Sequence, residues 1–157
     1  MPNRIVRGAI AGAAGTVALD AATYADMALR GRSSSDTPAS LVGVLADRLG
    51  ITSLGTEAKD NAASNRRSGL GALLGYATGV GVGIVYGALR GRRGDGSVLA
   101  GAVVGLAAMT ASDVPIALSG VSDPRAWGLS GWASDAIPHL VYGLVTVAIY
   151  EAVADPS

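Results

Sequence analysis

Four long apolar stretches separated by polar clusters set the pattern of this chain. The first runs from about Gly8 to Leu29, contains Asp20 and Asp26, and ends at the polar cluster Arg30 to Asp36. The second, about Gly69 to Leu89, has no charged residue, and the third, about Ser97 to Leu118, has only Asp113, two residues before Pro115. The fourth runs from about Ala136 to Val153. A helix needs roughly 20 apolar residues to cross a bilayer core. The uncharged part of the first stretch, Gly8 to Leu19, falls short of that, so the first span depends on Asp20 and Asp26 being accommodated. No segment alternates with the period of two that marks a strand. The pattern predicts an all-α polytopic membrane protein, a single domain over residues 1–157 with about four transmembrane helices and one short amphipathic helix.

The connections carry their own signals. Asp36-Thr37-Pro38 reads as a helix start, with a capping side chain and proline in the first turn. The helix predicted there, about 38–49, has Leu41, Val42, Leu45 and Leu49 at helical spacing, with Ser40, Asp47 and Arg48 off the stripe. It is too short to span, and lies either at the interface or folded back on the bundle. The polar segment Thr56 to Ser68, with Glu57, Lys59, Asp60, Arg66 and Arg67, is expected to be a solvated helix or loop. Trp127 and Trp132, beside the predicted start of the fourth span, suit the lipid–water interface. Met1 to Arg7 followed by an apolar run mimics a signal peptide, but three further apolar segments make an uncleaved signal anchor the expectation. With four spans the N-terminus, the turn Arg90 to Gly96 and the C-terminus share one face. Charge in a short loop decides orientation most strongly, which places Arg90, Arg92 and Arg93 on the cytoplasmic side.

Composition sharpens the packing. The chain has 23 glycines and no phenylalanine, so volume is not filled by large side chains. Gly71, Gly75, Gly79, Gly83, Gly87 and Gly91 recur every four residues, with Gly69 and Gly81 beside them. A period of four on a 3.6-residue helix traces a slowly drifting groove without side chains. Another backbone can enter such a groove, gaining dispersion and Cα–H···O contacts. Shorter versions stand at Gly8, Gly12 and Thr16 and at Ser97, Gly101 and Gly105. The groove serves either packing between neighbouring spans or self-association into a homo-oligomer or larger membrane complex.

Ionisable groups inside apolar spans are the candidate chemistry. They are expensive in lipid and usually face the bundle interior. Asp20 continues the Gly8, Gly12, Thr16 line, and Asp113 lies on the face of Gly105 with Thr110 and Ser112 as local partners. Asp135 and His139 are four apart, and Tyr142, Thr146 and Tyr150 extend their face. Asp20, Asp113, Asp135, His139 and Tyr142 therefore form a candidate polar pocket that binds an ion or moves protons, histidine titrating near neutrality. The plainer reading makes Asp135 an N-cap, puts Asp20 and Asp26 near a membrane edge, and has His139 tie two helices by a hydrogen bond.

Net charge is zero and no long basic run exists, so nucleic acid is not an expected partner. A single histidine and no cysteine exclude thiolate and His-rich metal sites, and would give haem one axial ligand per chain. The Arg90 to Gly96 turn lacks the lysine of a phosphate loop, and no Ser/His/Asp or H-E-x-x-H spacing occurs. No cofactor, metal or enzymatic activity is expected.

Gly12-Ala13-Ala14-Gly15-Thr16, Thr37-Pro38-Ala39-Ser40-Leu41-Val42 and Pro138-His139-Leu140-Val141-Tyr142-Gly143 together resemble small uncharacterised bacterial inner-membrane proteins of the YagU-like group. The resemblance implies a four-helix, multi-pass fold in the bacterial inner membrane, and carries His139 to Gly143 over as a polar packing feature. Two functions follow as expectations: a non-catalytic self-assembling or accessory membrane component, or a small ion- or proton-linked transporter or channel using the Asp/His pocket.

Overall fold

The computed structural model describes residues 3–90 and 97–154. Among these the chain is all helical: α1 (Arg4–Arg30), α2 (Thr37–Arg48), α3 (Asn61–Leu89), α4 (Val98–Ser119) and α5 (Gly128–Ala154), with one 3-10 turn at Pro124–Ala126. Helices α1, α3, α4 and α5 are long and apolar enough to cross a membrane, the layout of a multi-pass membrane protein. Their large apolar side chains point outward, Leu73 at 65% and Leu106 at 63% exposure. Outward leucine is costly in water and at home in lipid. Gly91, Arg92, Arg93 and the rest of the basic turn lie outside the described residues, as do Asp155 and Pro156 beyond the fourth span.

Local chemistry fixes the helix ends. Asn3 Oδ1 accepts from Ile5 N–H (2.8 Å), Asp60 Oδ1 from Ala63 N–H (2.8 Å) and Ser97 Oγ from Ala100 N–H (3.2 Å). Gly31 (φ 64°) and Gly120 (φ 77°) close α1 and α4 in the left-handed conformation that glycine adopts without strain. Asp36 does not cap α2 as its position predicts, because its backbone is already in the helical region and its side chain makes no cap bond. Ser35 Oγ accepts from Thr37 N–H instead (3.3 Å).

The long helices alternate in direction, and α1 packs against both α3 and α5, with α4 on the far side of α5. Backbones meet where side chains are missing. A Cβ on Gly12 would lie 2.6 Å from the Gly79 carbonyl oxygen, and one on Gly87 would lie 2.5 Å from that of Arg4. Gly8 and Gly83 meet between these points. Along the α4–α5 contact a Cβ on Gly105 would lie 2.5 Å from the His139 carbonyl, while Gly143 sits against Gly101 and Gly105. The spacing also predicts Gly75 in contact with a neighbour. Instead a Cβ there meets nothing within 4 Å, because α1 and α3 have diverged by that level. The core is correspondingly small: Val104, Ala108, Tyr142 and Val147, flanked by Leu19, Val82, Tyr86 and Ala100.

Helix α2 folds back on α3 and also touches α4. Its buried residues are Leu41, Gly43 and Ala46, whereas Leu45 is 40% and Leu49 74% exposed, so the apolar stripe is only partly used. Gly71 admits the α2 backbone, since a Cβ there would lie 2.8 Å from the Pro38 carbonyl carbon. The connection to α3 is largely exposed, as expected, and is also pinned. Arg67 Nη1 donates to the carbonyls of Gly55 (2.7 Å) and Ala58 (2.9 Å). Asp47 accepts from the Thr56 hydroxyl (2.7 Å) and from Thr56 N–H (3.2 Å). Those bonds from Thr56 hold the Asp47 carboxyl below the usual range, and the Ala63 N–H does the same for Asp60.

Candidate functional site

Among the described residues the bundle is tightly packed toward one end and open toward the other. Around Gly8, Gly12, Gly83 and Gly87 the backbones of α1 and α3 touch. Toward the C-terminal end of α1 the helices spread around a cleft of about 620 Å³. Volumes of about 300–1,000 Å³ suit small-molecule ligands. The floor is Tyr142, almost fully buried, whose hydroxyl donates to the Gly79 carbonyl (2.6 Å). Thr37 and Pro38 of α2 and Trp127 border the other end.

Asp20, Asp113, Asp135, His139 and Tyr142 all line this one cleft. Asp20 Oδ2 accepts from the Tyr76 hydroxyl (2.9 Å), which joins α1 to α3 across it. The Asp113 carboxyl faces that of Asp135 within hydrogen-bonding reach. Thr110 and Ser112, the expected partners of Asp113, turn back to their own helix, at Leu106 (2.8 Å) and at Ala108 (3.0 Å). Such back-bonding is the ordinary resort of helical Ser and Thr.

Asp135 is not the N-cap of α5. The helix begins at Gly128, two turns earlier, after the 3-10 turn that Asp123 Oδ1 fixes by accepting from Arg125 N–H (3.0 Å). Pro138 consequently stands inside the helix rather than in its first turn. Proline removes one N–H from the helix ladder, as Pro115 does in α4.

His139 links α5 to α4. Its Nδ1 is 2.8 Å from the Asp135 carbonyl and 3.3 Å from Asp135 Oδ1, and its Nε2 is 3.3 Å from Ser112 Oγ. A carbonyl oxygen has no proton to give, so Nδ1 carries the hydrogen. Nε2 donates to Ser112 Oγ when the ring is charged, and when the ring is neutral it can accept only if the single Ser112 hydroxyl hydrogen leaves the Ala108 carbonyl. Asp135 Oδ2 is buried and has no protein hydrogen-bond partner.

Among the described residues no group of three or more His, Cys, Asp or Glu side chains is arranged to hold a metal ion. Asp26, the other acid of the first span, pairs with Arg30 (2.6 Å) and Arg32 (2.5 Å) and so is neutralised at the end of α1. Arg32, which borders the cleft, is thereby already engaged.

Sequence reasoning missed Tyr76 and Trp127 as members of the site, and assigned Ser112 to Asp113 rather than to His139. It also missed the role of Tyr150, whose hydroxyl donates to the Gly87 carbonyl (3.3 Å). A signal was present: Tyr142 and Tyr150 are eight residues apart, as are Gly79 and Gly87, and α5 and α3 run in the same direction. Compared with protein-family models, curated proteins and solved structures, the chain finds no match.

Proposed function

We propose that this chain is a non-catalytic component of the bacterial inner membrane that binds a small ligand in the cleft between α1, α3, α4 and α5. The observation that carries this reading is the one-sidedness of the cleft. Polar groups line it, while at the other end, among the described residues, the α1 and α3 backbones touch. The inner membrane is supported by the resemblance of the Gly12, Thr37 and Pro138 segments and by four candidate spans. Because α1 occupies the groove at Gly79, Gly83 and Gly87, self-association through those glycines would require α1 to leave it. An accessory role in a larger assembly therefore fits better than a homo-oligomer built on that groove.

Gly75 provides the test. It lines the cleft with open space before it, so Gly75→Trp fills the cleft and leaves the α1–α3 contact untouched. The wild-type chain, purified in mild detergent, is expected to retain a small molecule in native mass spectrometry, and Gly75→Trp to lose it. Equal retention by both proteins would overturn the reading. Transport linked to ions or protons is the second reading, favoured by the adjacency of Asp113, Asp135 and His139. Proton or potassium flux in proteoliposomes that disappears in Asp113→Asn would put transport first.

A further inference from the structure

The cleft's chemistry selects the charge and shape of what it binds; this rests on the cleft being a binding site at all. Two carboxyl groups, Asp113 and Asp135, face one another within hydrogen-bonding reach on separate helices. Such a pair requires a positive charge between its members, either a proton or a cation. Asp135 Oδ1 already has the His139 Nδ1 hydrogen beside it (3.3 Å), whereas Asp135 Oδ2 is buried and lacks a donor. That oxygen is an acceptor satisfied either by a proton shared with Asp113 or by an N–H that a ligand brings. No arginine or lysine of the cleft serves it: Arg32 is held by Asp26 (2.5 Å) and by the Ser33 carbonyl (3.2 Å).

The surroundings of the pair are not those of an inorganic ion site. No three potential metal ligands converge there among the described residues, and the volume, about 620 Å³, far exceeds a bare ion. Aromatic groups line the same space: Tyr76 on α3 and Trp127 ahead of α5. Trp127 is held in place by its Nε1–H to Ser122 Oγ (2.8 Å) and by Trp132, whose ring lies 5.1 Å away. Aromatic faces and carboxylates in one cavity are the two elements that recognise an organic cation, one taking its apolar body and the other its charge.

We infer that the cleft binds a small organic ammonium ion with an aromatic or other apolar body, its N–H groups bridging Asp113 and Asp135 and its body lying against Tyr76 and Trp127. The ammonium takes the place of any proton held between the two carboxyls, and that proton leaves to solvent, so the charge between them is conserved.

The test is calorimetric titration of the full chain in dodecylmaltoside micelles with three probes of one shape. These are 1-naphthylmethylamine, the neutral 1-naphthylmethanol and the anionic 1-naphthylacetate. The amine is expected to bind at least tenfold more tightly than the other two. Asp135→Asn and Asp113→Asn are each expected to weaken it at least tenfold, while Glu57→Gln, far from the cleft, leaves it unchanged. Circular dichroism and gel filtration show whether each variant is folded. If one Asp variant fails to fold, the other carries the result, and the comparison of the three probes on the wild-type chain needs neither. Equal binding of amine and alcohol, abolished by Gly75→Trp, would overturn the cation assignment and leave the binding cleft standing. If no probe shows binding that Gly75→Trp abolishes, the cleft reading falls as well.

Discussion

Gly83→Ala is the most direct test of how the tightly packed end of the bundle is held. The new Cβ would lie 2.6 Å from Gly12 Cα and 2.7 Å from Gly12 N, with the Gly8 carbonyl oxygen closer still. All three atoms are backbone, so no side-chain rotation relieves the clash. Ordinary contact begins at 3.4 Å, so α1 and α3 must separate by at least about 0.8 Å, forfeiting part of the dispersion along their contact. Overpacking of this kind typically costs about 1–3 kcal/mol. The control is Gly75→Ala on the same helix, where the Cβ meets nothing within 4 Å. Alanine there only improves helix propensity, an effect of up to about 1 kcal/mol in water. Equilibrium unfolding in mixed dodecylmaltoside–dodecyl sulfate micelles, followed by far-ultraviolet circular dichroism, should separate the two variants by about 1–4 kcal/mol. If Gly83→Ala is as stable as Gly75→Ala, close backbone approach is not what holds α1 to α3.

Three further outcomes are expected. Tyr142→Phe removes the buried hydrogen bond to the Gly79 carbonyl and should cost about 0.5–1.5 kcal/mol in the same unfolding assay; no change would mean that the hydroxyl contributes nothing to the cleft floor. Arg67→Ala frees the carbonyls of Gly55 and Ala58, so trypsin should cut after Lys59 faster than in the wild-type chain; unchanged cleavage would show that the segment is held by other contacts. Asp47 and Asp60 both have lowered pKa values through hydrogen bonds from Thr56 and Ala63. Their contribution is complete above the unfolded carboxylate pKa of about 3.9 and disappears as pH falls through the lower folded values. Hydrogen exchange at α2 and the first turn of α3 should therefore accelerate below about pH 4 while the α1–α3 contact stays protected; acceleration already at neutral pH would contradict the assignment.

The spans were legible because an apolar run of the right length is a local property of the chain. Their ends were less so. Helix α5 starts at Gly128, ahead of the apolar stretch that begins at about Ala136, and its first turns carry Ser130 and Ser134 toward Arg30, a contact between helices that the local pattern does not encode. Asp20 with Thr16, and Asp135 with His139, could be read as neighbours because four-residue spacing is fixed by the helix itself. The Tyr76–Asp20 and Ser112–His139 pairs could not, because they depend on which helices lie side by side. Gly75 shows the limit from the opposite direction. Its spacing is identical to that of Gly79, but divergence of two helices is a tertiary property and leaves one glycine in contact and the other open.

The interior prolines give the bundle an uneven mechanics. Pro115 and Pro138 each remove one rung from a helix that borders the cleft, at the carbonyls of Ala111 and Ser134. The helices that carry the backbone contacts at the tightly packed end, α1 and α3, contain no proline within their described lengths. Bending is therefore cheap in α4 and α5 and expensive in α1 and α3. A ligand larger than the resting cleft would be accommodated by those two helices flexing like the sprung arm of a clip against a rigid jaw. Size selectivity would then be set by two missing amide hydrogens more than by the side chains that line the wall.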